Sequence, residues 1–443
     1  MSLTRDLTRL IRSKERGERD LEMAALFVLD TVGCALGALA TDPARMLAAV
    51  ASPTSEDTAR HAFYFGGLAH ILEMDDLHRD SVTHPGSVVI PAAWSICEEA
   101  DLGGRDFLGA VLSGYEAMCR IGNSVGKEHY RIWHNTSTCG PFGSAFAAAD
   151  LLELDEDKTV WALGNAGTQS SGLWQFLETG AMSKHLHTAR AAESGVLASK
   201  LAAEGFSGPE QILEGSKGFY AGLCRDPLPS KVLADPAGPW QLLDTSIKPW
   251  PCCRHTHPAI DASIELHGRL AGRAIASVTV GAYQAALDVC DRPSPQDSYS
   301  AKFSLQHTVA NALAEGRVVQ SSFDAEARER MSEARAKIEI GKSAQVDAAY
   351  PESWGVEVTV RTRDGAELKA TRTEAKGDPG NPLSASEIVE KAQMQMRAAE
   401  LGNAKIDDLT RRILGLPNDT AVRELGLFPT RRTSRTTRAT RSA

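Results

Sequence analysis

Apolar and polar residues in the first half of the chain recur with the spacing of α-helices. The stretch MAALFVLDTVGCALGALATD shows this spacing and lacks strand-like alternation, which predicts a buried helix with close helix contacts at Gly33 and Gly37. Further helices are predicted to start near Gly104–Arg105 and near Phe142. Small residues at positions 189–192 predict another tightly packed helix. The first half is therefore expected to form an all-helical domain.

The pattern changes to alternation beyond Ala274. The segments ASVTVGAYQAAL, EARAKIEIG and ESWGVEVTVRTRDGAELKATR, with a turn at residues 363–365, predict strands of a smaller α+β domain. From GDPGNPLSASEIVEKAQ onward the spacing is helical again, with Ser384 as N-cap and Glu387 completing a capping box. We therefore predict a mainly α protein with a large helical domain of residues 1–243 together with 381–443, an α+β domain of residues 244–380, and a disordered basic tail at 430–443.

Composition and charge narrow the possible classes of protein. The 443 residues are 42% hydrophobic and 24% charged, which is typical of a soluble globular protein with two or three domains. A net charge of −9 argues against a broad basic surface for nucleic acid. The eight cysteines form no CxxC pair, and no apolar run has the length of a signal or membrane-spanning segment. We expect a cytoplasmic protein with no nucleic-acid or membrane partner, although a weakly defined transit peptide leaves an organelle open.

The stretch HILEMDDLHRDSVTHPGSVVIP, residues 70–91, concentrates ionisable side chains between two apolar runs. They are Glu73, Asp75, Asp76, His78, Arg79, Asp80 and His84. A polar turn between buried elements suits proton chemistry, because burial and carboxylate neighbours shift the pKa of a histidine. A solvated helix end, which is the usual structure of a charge run, is the alternative interpretation. The pattern alone supports the two interpretations equally.

Other polar loops stand at the entrances of apolar or small-residue helices and carry histidines and lysines. They contain His134, then Lys184 with His187, then Lys248 with Cys253 and His257, then Lys302 with His307. If they converge with His84 on one cleft, they supply cations and acid/base groups for abstracting the α-proton of a di- or tricarboxylate. The alternatives are a surface lysine at Lys184, an exposed loop histidine at His134, and a metal site in the Cys/His cluster at 252–257.

At these residues the chain resembles the MmgE/PrpD family. The matching pieces, in the family's order, are FVLDTVGCALGA, HILEMDDLHRDSVTHPGSVVIPA, MSKHLHTARAAESGVLASKLAAEGFSGPEQILEGSKGF, IKPWPCCRHTHPAIDA, AKFSLQHTVA and GDPGNPLS. The family includes 2-methylcitrate dehydratases, cis-aconitate decarboxylases and an iminodisuccinate epimerase. The resemblance implies a helical domain built from both chain ends, a smaller α+β lid domain, a homodimer, and no metal or organic cofactor.

Matching motifs also imply roles for single residues. His84 is similar to the family's acid/base histidine, Lys184 and Lys248 resemble its cleft lysines, and His134 and His307 are expected to assist orientation or protonation. The expected substrate-binding residues are Glu73, Asp75, Asp76, His187, Cys253, His257 and Lys302. Cys253 and His307 stand where decarboxylase-type relatives carry a histidine and a tyrosine, and Glu73 replaces an aspartate. These departures argue against a cis-aconitate decarboxylase in the strict sense.

The expected function is that of a cofactor-free lyase or isomerase that abstracts the proton α to a carboxylate of a small polycarboxylate. Dehydration like that of 2-methylcitrate dehydratase is favoured, and epimerisation of the iminodisuccinate type or decarboxylation of the cis-aconitate type are the alternatives. Two rivals belong to other classes. One is a metal-dependent hydrolase or lyase with Asp75, Asp76, His78 and His84 as ligands, and the other is a non-catalytic anion-binding protein.

Overall fold

The computed structural model describes residues 2–51 and 57–427, and its architecture is mainly α, as the hydrophobic spacing predicts. The helices of the first part are α1 (Leu3–Ser13), α2 (Glu18–Gly37), α3 (Asp42–Val50), α4 (Thr58–Ile71), α5 (Gly86–Ala100), α6 (Gly104–Gly122), α7 (Lys127–Tyr130), α8 (Asn135–Leu151), α9 (Glu156–Gly167), α10 (Ser183–Ala203) and α11 (Phe219–Leu223). The later helices are α12 (His257–Leu270), α13 (Gln284–Cys290), α14 (Ser298–Ala301), α15 (Leu305–Glu315), α16 (Ala325–Arg330), α17 (Ser332–Arg335), α18 (Ala344–Ala348), α19 (Ala385–Ala398) and α20 (Asn403–Leu414).

Short strands and 3-10 turns connect these helices. The strands are β1 (Leu77–His78), β2 (Thr245–Ser246), β3 (Ile275–Ala282), β4 (Ile338–Lys342), β5 (Val356–Thr362) and β6 (Glu367–Arg372). The 3-10 turns are Trp174–Glu178, Pro229–Leu233, Gln241–Asp244, Arg254–Thr256, Gln320–Phe323, Leu416–Asn418 and Val422–Leu425.

Helix α10 lies at the centre of the helical part and packs against α4, α8 and α9. Small residues allow this close approach, since a Cβ added to Gly195 would lie 2.0 Å from Oγ of Ser144 on α8. The surrounding core is apolar and encloses Trp94, Tyr115 and Phe142 completely. Burial of these large aromatic side chains is a main source of stability for the helical part.

Two helix boundaries differ from the sequence prediction. Helix α8 begins at Asn135 rather than near Phe142, and it contains Pro141. Helix α10 begins at Ser183, so that Lys184 and His187 lie in its first turns rather than in a preceding loop. Polar residues at both places predict a loop, but tertiary packing stabilises helix where local propensity is weak.

The last helices return to the first part of the chain. Helix α19 packs against α2, where a Cβ added to Gly33 would lie 2.8 Å from Cα of Ala392, which confirms the close contact expected there. The predicted capping box of Ser384 and Glu387 is present at the start of α19. Lys391 of this helix pairs with the buried Asp30 at 2.6 Å. The exact domain boundaries stay a prediction, and the tail at 430–443 lies outside the described residues.

The predicted strands form one four-stranded sheet in the order β4-β3-β5-β6. Strands β3 and β4 run parallel, and the β3–β5 and β5–β6 pairs are antiparallel. Helices α12 and α15 pack against each other, and α12 also packs on β5 and β6 to close a second apolar core. The separate ribbon of β1 and β2 joins the loop after α4 to the segment that precedes Lys248.

Within the described residues, no single helix is long and apolar enough to cross a membrane. Helices α2 and α3 reach that length and apolarity only when taken together, and they are bent by 95° at their junction.

Candidate active site

The loop between α4 and α5 is buried, although it carries most of the charges of residues 70–91. It is held by β1 and β2 and by reciprocal backbone hydrogen bonds of 2.9 and 3.3 Å between His78 and Thr83. Glu73 has a φ of +59°, a left-handed conformation that is uncommon outside glycine and is enriched at functional sites. Glu73, Asp75 and Asp76 are at most 1% exposed, so the alternative of a solvated helix end is wrong.

His84 precedes α5, and its ring is fixed by the same loop. Its Nδ1 lies 2.5 Å from the backbone carbonyl oxygen of Asp76. Because a carbonyl can only accept, Nδ1 carries the proton, and Nε2 is the free basic nitrogen of the neutral ring. Burial lowers the pKa of His84 well below its usual value, against the opposing effect of Asp75. His84 therefore has the tautomer and the charge of a general base.

His70, at the end of α4, forms a buried pair with Asp75. Its Nδ1 lies 2.6 Å from Oδ2 of Asp75, and the same oxygen lies 3.4 Å from Nδ1 of His84. Burial acts to raise the pKa of Asp75, but the neighbouring His70, His84 and Lys248 hold that pKa well below its usual value. Nε2 of His70 has no hydrogen-bond partner among the described residues. One ionised carboxylate thus orients one imidazole directly and lies beside a second.

Lys184 and Lys248 surround the carboxylate of Glu73. Nζ of Lys184 lies 2.8 and 2.6 Å from the two Glu73 oxygens. Nζ of Lys248 donates to the backbone carbonyl of Glu73 at 3.2 Å and lies 4.0 Å from Oδ1 of Asp75. Burial acts to raise the pKa of Glu73, but Lys184, His70 and Lys248 lower it far below its usual value. Lys184 is only 4% exposed, so the alternative of a surface lysine is wrong.

Lys302 and Tyr299 come to this group from the second half of the chain. Nζ of Lys302 donates to the carbonyl oxygen of Leu72 at 2.9 Å, and burial lowers its pKa to about 8. The hydroxyl of Tyr299 is buried without a hydrogen-bond partner among the described residues, and its ring meets the edge of His185 at 6.5 Å. Burial, with the nearby charge of Glu73, raises the pKa of Tyr299 well above its usual value, so the phenol keeps its proton. Lys302 thus supplies a cation, and the Tyr299 phenol supplies a neutral hydrogen-bond donor.

His134 is the N-cap residue of α8 and lies among other rings. Its ring centre is 6.0 Å from that of His70 and 6.3 Å from that of His84, and its Nδ1 lies 3.1 Å from Nδ1 of His187. Burial lowers the pKa of His134 well below its usual value and that of His187 to about 4. His134 is 1% exposed, so it is not an exposed loop histidine. Its contacts bring the starts of α5, α8 and α10 together, and helix N-termini favour anions.

Asp76 supports the loop through hydrogen bonds of its side chain. Its carboxylate accepts hydrogen bonds from the hydroxyl of Tyr115 at 2.7 Å and from the backbone N–H of Gly86 at 3.0 Å. Burial raises its pKa to about 8. The side chain of Asp76 thus faces the start of α5 and its carbonyl holds His84, as a positioning residue would, and its expected role in binding a substrate stays a prediction.

The structure does not bring His307 to this group. Nε2 of His307 lies 2.7 Å from the carbonyl oxygen of Ser322, and its Nδ1 lies 3.2 Å from the guanidinium of Arg335. Both ring nitrogens are therefore engaged within the part that contains the sheet.

Cys253 and His257 lie beside Lys302 and Lys248 rather than among the histidine rings. The backbone N–H of Cys253 donates to the carbonyl oxygen of Lys302 at 2.9 Å, and a hydrogen bond with Cys290 lowers the pKa of its thiol. Nε2 of His257 lies 3.3 Å from the carbonyl oxygen of Cys252. Both residues thus support the backbone near the lysines.

The ligand set of the rival metal hypothesis, Asp75, Asp76, His78 and His84, is not assembled. The carboxylate of Asp76 is bound by Tyr115 and Gly86, as above, and Nδ1 of His78 lies 2.8 Å from Oγ of Ser81. Within the described ranges, the possible ligand atoms that do lie together are ring nitrogens of His70, His84 and His134, all within 4.8 Å of one another.

The site is enclosed in this conformation. His84, Lys184 and Lys302 are each at most 7% exposed. Two surface cavities, of about 770 and 440 Å³, lie near Ser2 and Arg273 and include none of the residues described above. Entry of a substrate therefore requires side chains or elements that cover the site to move.

Two family profiles match the chain in sequence order. The MmgE/PrpD N-terminal domain matches residues 15–231, and the MmgE/PrpD C-terminal domain matches residues 250–411. The chain belongs to the MmgE/PrpD family.

Similar proteins of this family are named as cis-aconitate decarboxylases. The chain is 31% identical over 211 residues to the cis-aconitate decarboxylase of Aspergillus terreus, covering 44% of this chain and 43% of the relative. It is 25% identical over 350 residues to the human cis-aconitate decarboxylase, covering 74% of this chain and 71% of the relative. The match thus spans less than half the length of the fungal relatives.

Membership of the MmgE/PrpD family did not reveal every residue of the site. His70, His185 and Tyr299 were not among the predicted site residues. The spacing of His70 and Asp75 at the end of a helix could have indicated the first of these. His185 lies next to Lys184, in the same segment as the predicted His187. Nothing in the sequence around Tyr299 distinguishes it from a core tyrosine.

Proposed function

We propose that this MmgE/PrpD protein is a lyase that abstracts the proton α to a carboxylate of a small polycarboxylate, without a metal or organic cofactor. The observation that carries the proposal is the fixed ring of His84, whose Nδ1–H is bound by the carbonyl of Asp76 at 2.5 Å. This leaves Nε2 unprotonated in a buried group that also contains Lys184, Lys248 and Lys302. A neutral base beside several cations suits a substrate that is itself anionic and becomes more so in the transition state.

The reaction we propose is elimination of water. Nε2 of His84 takes the α-proton, the electron pair of that C–H bond forms the carbon–carbon double bond, and the β-hydroxyl leaves with a proton from an acid. Tyr299 is the proposed donor, because its phenol is buried, protonated and unpartnered among the described residues. Lys248 and Lys302 would bind the carboxylate next to the reacting carbon and stabilise its enolate-like charge. The substrate thus loses one water, and the enzyme is restored when His84 releases its proton and the Tyr299 phenolate takes one up, so that no net proton is gained or lost.

A second candidate is decarboxylation of cis-aconitate, which the names of the relatives favour. In that reaction the bond to a carboxylate breaks, carbon dioxide leaves, and the remaining carbanion takes a proton from an acid. The same lysines would hold the substrate, but His84 would act in its protonated form. Epimerisation is the third outcome and needs only removal and return of one proton.

We also propose that the protein is a homodimer and is located in the cytoplasm. Light scattering on the purified protein tests the dimer.

Proton NMR in D₂O separates these reactions in one experiment. The purified protein is incubated separately with 2-methylcitrate, citrate, cis-aconitate and iminodisuccinate. A new alkene signal from a hydroxy acid supports dehydration, and itaconate with loss of carbon dioxide supports decarboxylation. Deuterium at an α-carbon without net change supports epimerisation. Absence of exchange or turnover with all four, in a folded protein, would count against the proposal.

Two variants and one control test the proposed base and the proposed acid. His84→Asn should lower kcat by at least about 100-fold, the usual contribution of a general base. The matched control is His267→Asn, because His267 is exposed on α12 and bonds the carbonyl of Leu313 at 2.8 Å, away from the site. Tyr299→Phe should lower kcat with little change in KM if the phenol donates only in the transition state. Full activity in His84→Asn would remove the base from the mechanism.

A further inference from the structure

Three histidines of the site come from three separate elements, and one ring nitrogen of each lies close to the others. His70 ends α4, His84 precedes α5 and His134 caps α8. One nitrogen from each lies within 4.8 Å of the other two, and all three residues are buried. Tetrahedral zinc with nitrogen ligands at 2.0–2.1 Å needs nitrogens about 3.3 Å apart. The required contraction is therefore at most about 1.5 Å per pair.

The other ring nitrogens are held in the way that metal-binding histidines usually are. Such a histidine normally gives its second N–H to a carboxylate or backbone carbonyl, which fixes the ring and makes the ligating nitrogen more basic. Here Nδ1 of His70 is 2.6 Å from the Asp75 carboxylate, and Nδ1 of His84 is 2.5 Å from the Asp76 carbonyl. Nδ1 of His134 is 3.1 Å from His187. In His70 and His84 this leaves Nε2 as the nitrogen that is free for a ligand.

A second observation also points to an occupant. Nε2 of His70 is buried without a hydrogen-bond partner among the described residues. An unpaired polar atom in a buried site has a free-energy cost that a ligand removes. Lys184 and Lys248 oppose a dication, but the former is paired with both oxygens of Glu73, and Asp75 adds a negative charge beside two of the histidines.

We propose that His70, His84 and His134 bind one borderline-soft transition-metal dication, of which Zn²⁺ and Co²⁺ are the representatives, with a fourth position open to water. Three neutral nitrogens and no oxygen ligand disfavour Mg²⁺ and Ca²⁺. The ion would occupy Nε2 of His84, so the metal-bound and base-active states exclude each other. This second statement rests on the proposed function, whereas binding of the metal does not. The metal is thus a reversible inhibitor rather than a cofactor.

Binding is measured on the full chain after treatment with chelator and removal of the chelator. Titration with Zn²⁺ should show one ion per chain, and Mg²⁺ should show none. Co²⁺ should give the strong visible absorption of a tetrahedral site. His70→Asn and His134→Asn should each weaken Zn²⁺ binding at least about tenfold, and His267→Asn should not. Asp75→Asn keeps all three ligands and should still weaken binding about 10–100-fold, which provides a second variant if a histidine variant does not fold.

The outcomes separate the metal site from the proposed function. One Zn²⁺ per chain, lost in the histidine variants and accompanied by inhibition that chelator reverses, supports both. Failure of the folded protein to bind Zn²⁺, or binding that is equal in His70→Asn and the wild type, overturns the metal site while leaving the lyase intact. Zn²⁺ binding at the histidines without inhibition supports the site and refutes His84 as base. Activity that requires Zn²⁺ overturns both the inhibitory role and the cofactor-free mechanism.

Discussion

The pairing of Glu73 with Lys184 gives the sharpest test of the buried charges. The side chains are 1% and 5% exposed, and Lys248 lies 3.9 Å from the same carboxylate. Glu73→Gln leaves two buried ammonium groups without their common counter-charge, so the free energy of unfolding should fall by about 3–5 kcal/mol. Lys184→Met should lower the free energy of unfolding by about 3 kcal/mol, the lower end of that range, because Lys248 still faces the carboxylate of Glu73. The double variant should be less destabilised than the sum of the two.

Urea unfolding followed by tryptophan fluorescence measures the free energy of unfolding of the wild type, the two single variants and the double variant. Calorimetry checks that each protein unfolds in one transition. The pKa of Glu73 is lowered in the folded protein, so its stabilisation is present above its ordinary pKa of 4.5 and is lost as the pH falls below that value. The difference between the wild type and Glu73→Gln should therefore shrink at acid pH. Additive effects in the double variant, or a loss below about 1 kcal/mol in Glu73→Gln, would refute the reasoning.

Three further predictions use other parts of the structure. Because the pKa of Lys302 is about 8, KM for a polycarboxylate should rise as the pH passes above 8, and Lys302→Arg should shift that rise upward; a KM unchanged by pH would refute this. Gly33→Ala should lower the free energy of unfolding by about 1–3 kcal/mol through overpacking, whereas Gly268→Ala, with open space at its Cβ, should be neutral or raise it in the same urea assay. Lys391→Met should lower the free energy of unfolding by about 3–5 kcal/mol, because it leaves Asp30 unpaired. A smaller loss when Asp30→Asn is added to Lys391→Met would support this assignment.

The sequence could predict which segments contribute to the site, because local patterns carry that information. His84, His134 and Lys184 all stand at helix starts, where an apolar or small-residue run begins abruptly after polar residues. The capping box at Ser384 and the close contact at Gly33 were likewise visible as short patterns and are confirmed.

The contacts between segments could not be predicted from those patterns. Glu73 and Lys184 are separated by 111 positions, and their pairing depends on how α10 packs against α4. Tyr299 enters the site only because a short helix turns it toward His185. His307 shows the opposite error, since it is near Lys302 in sequence but its Nε2 lies 2.7 Å from the carbonyl oxygen of Ser322. Sequence proximity indicates a shared segment and not a shared side of that segment.

The observed pairing also changes the role expected for Lys184. From the sequence, Lys184 was expected to bind a substrate carboxylate, but in the structure both oxygens of Glu73 already occupy it at 2.6 and 2.8 Å. An incoming carboxylate would have to compete with a covalently tethered one, which has a high effective concentration. Lys302 donates instead to a backbone carbonyl at 2.9 Å, and Lys248 donates to one at 3.2 Å and lies 3.9 and 4.0 Å from the carboxylates of Glu73 and Asp75, farther than Lys184 lies from Glu73. Under the proposed function we therefore expect a substrate carboxylate to gain more at these two lysines, while the ion pair with Lys184 holds Glu73 and the loop that precedes His84.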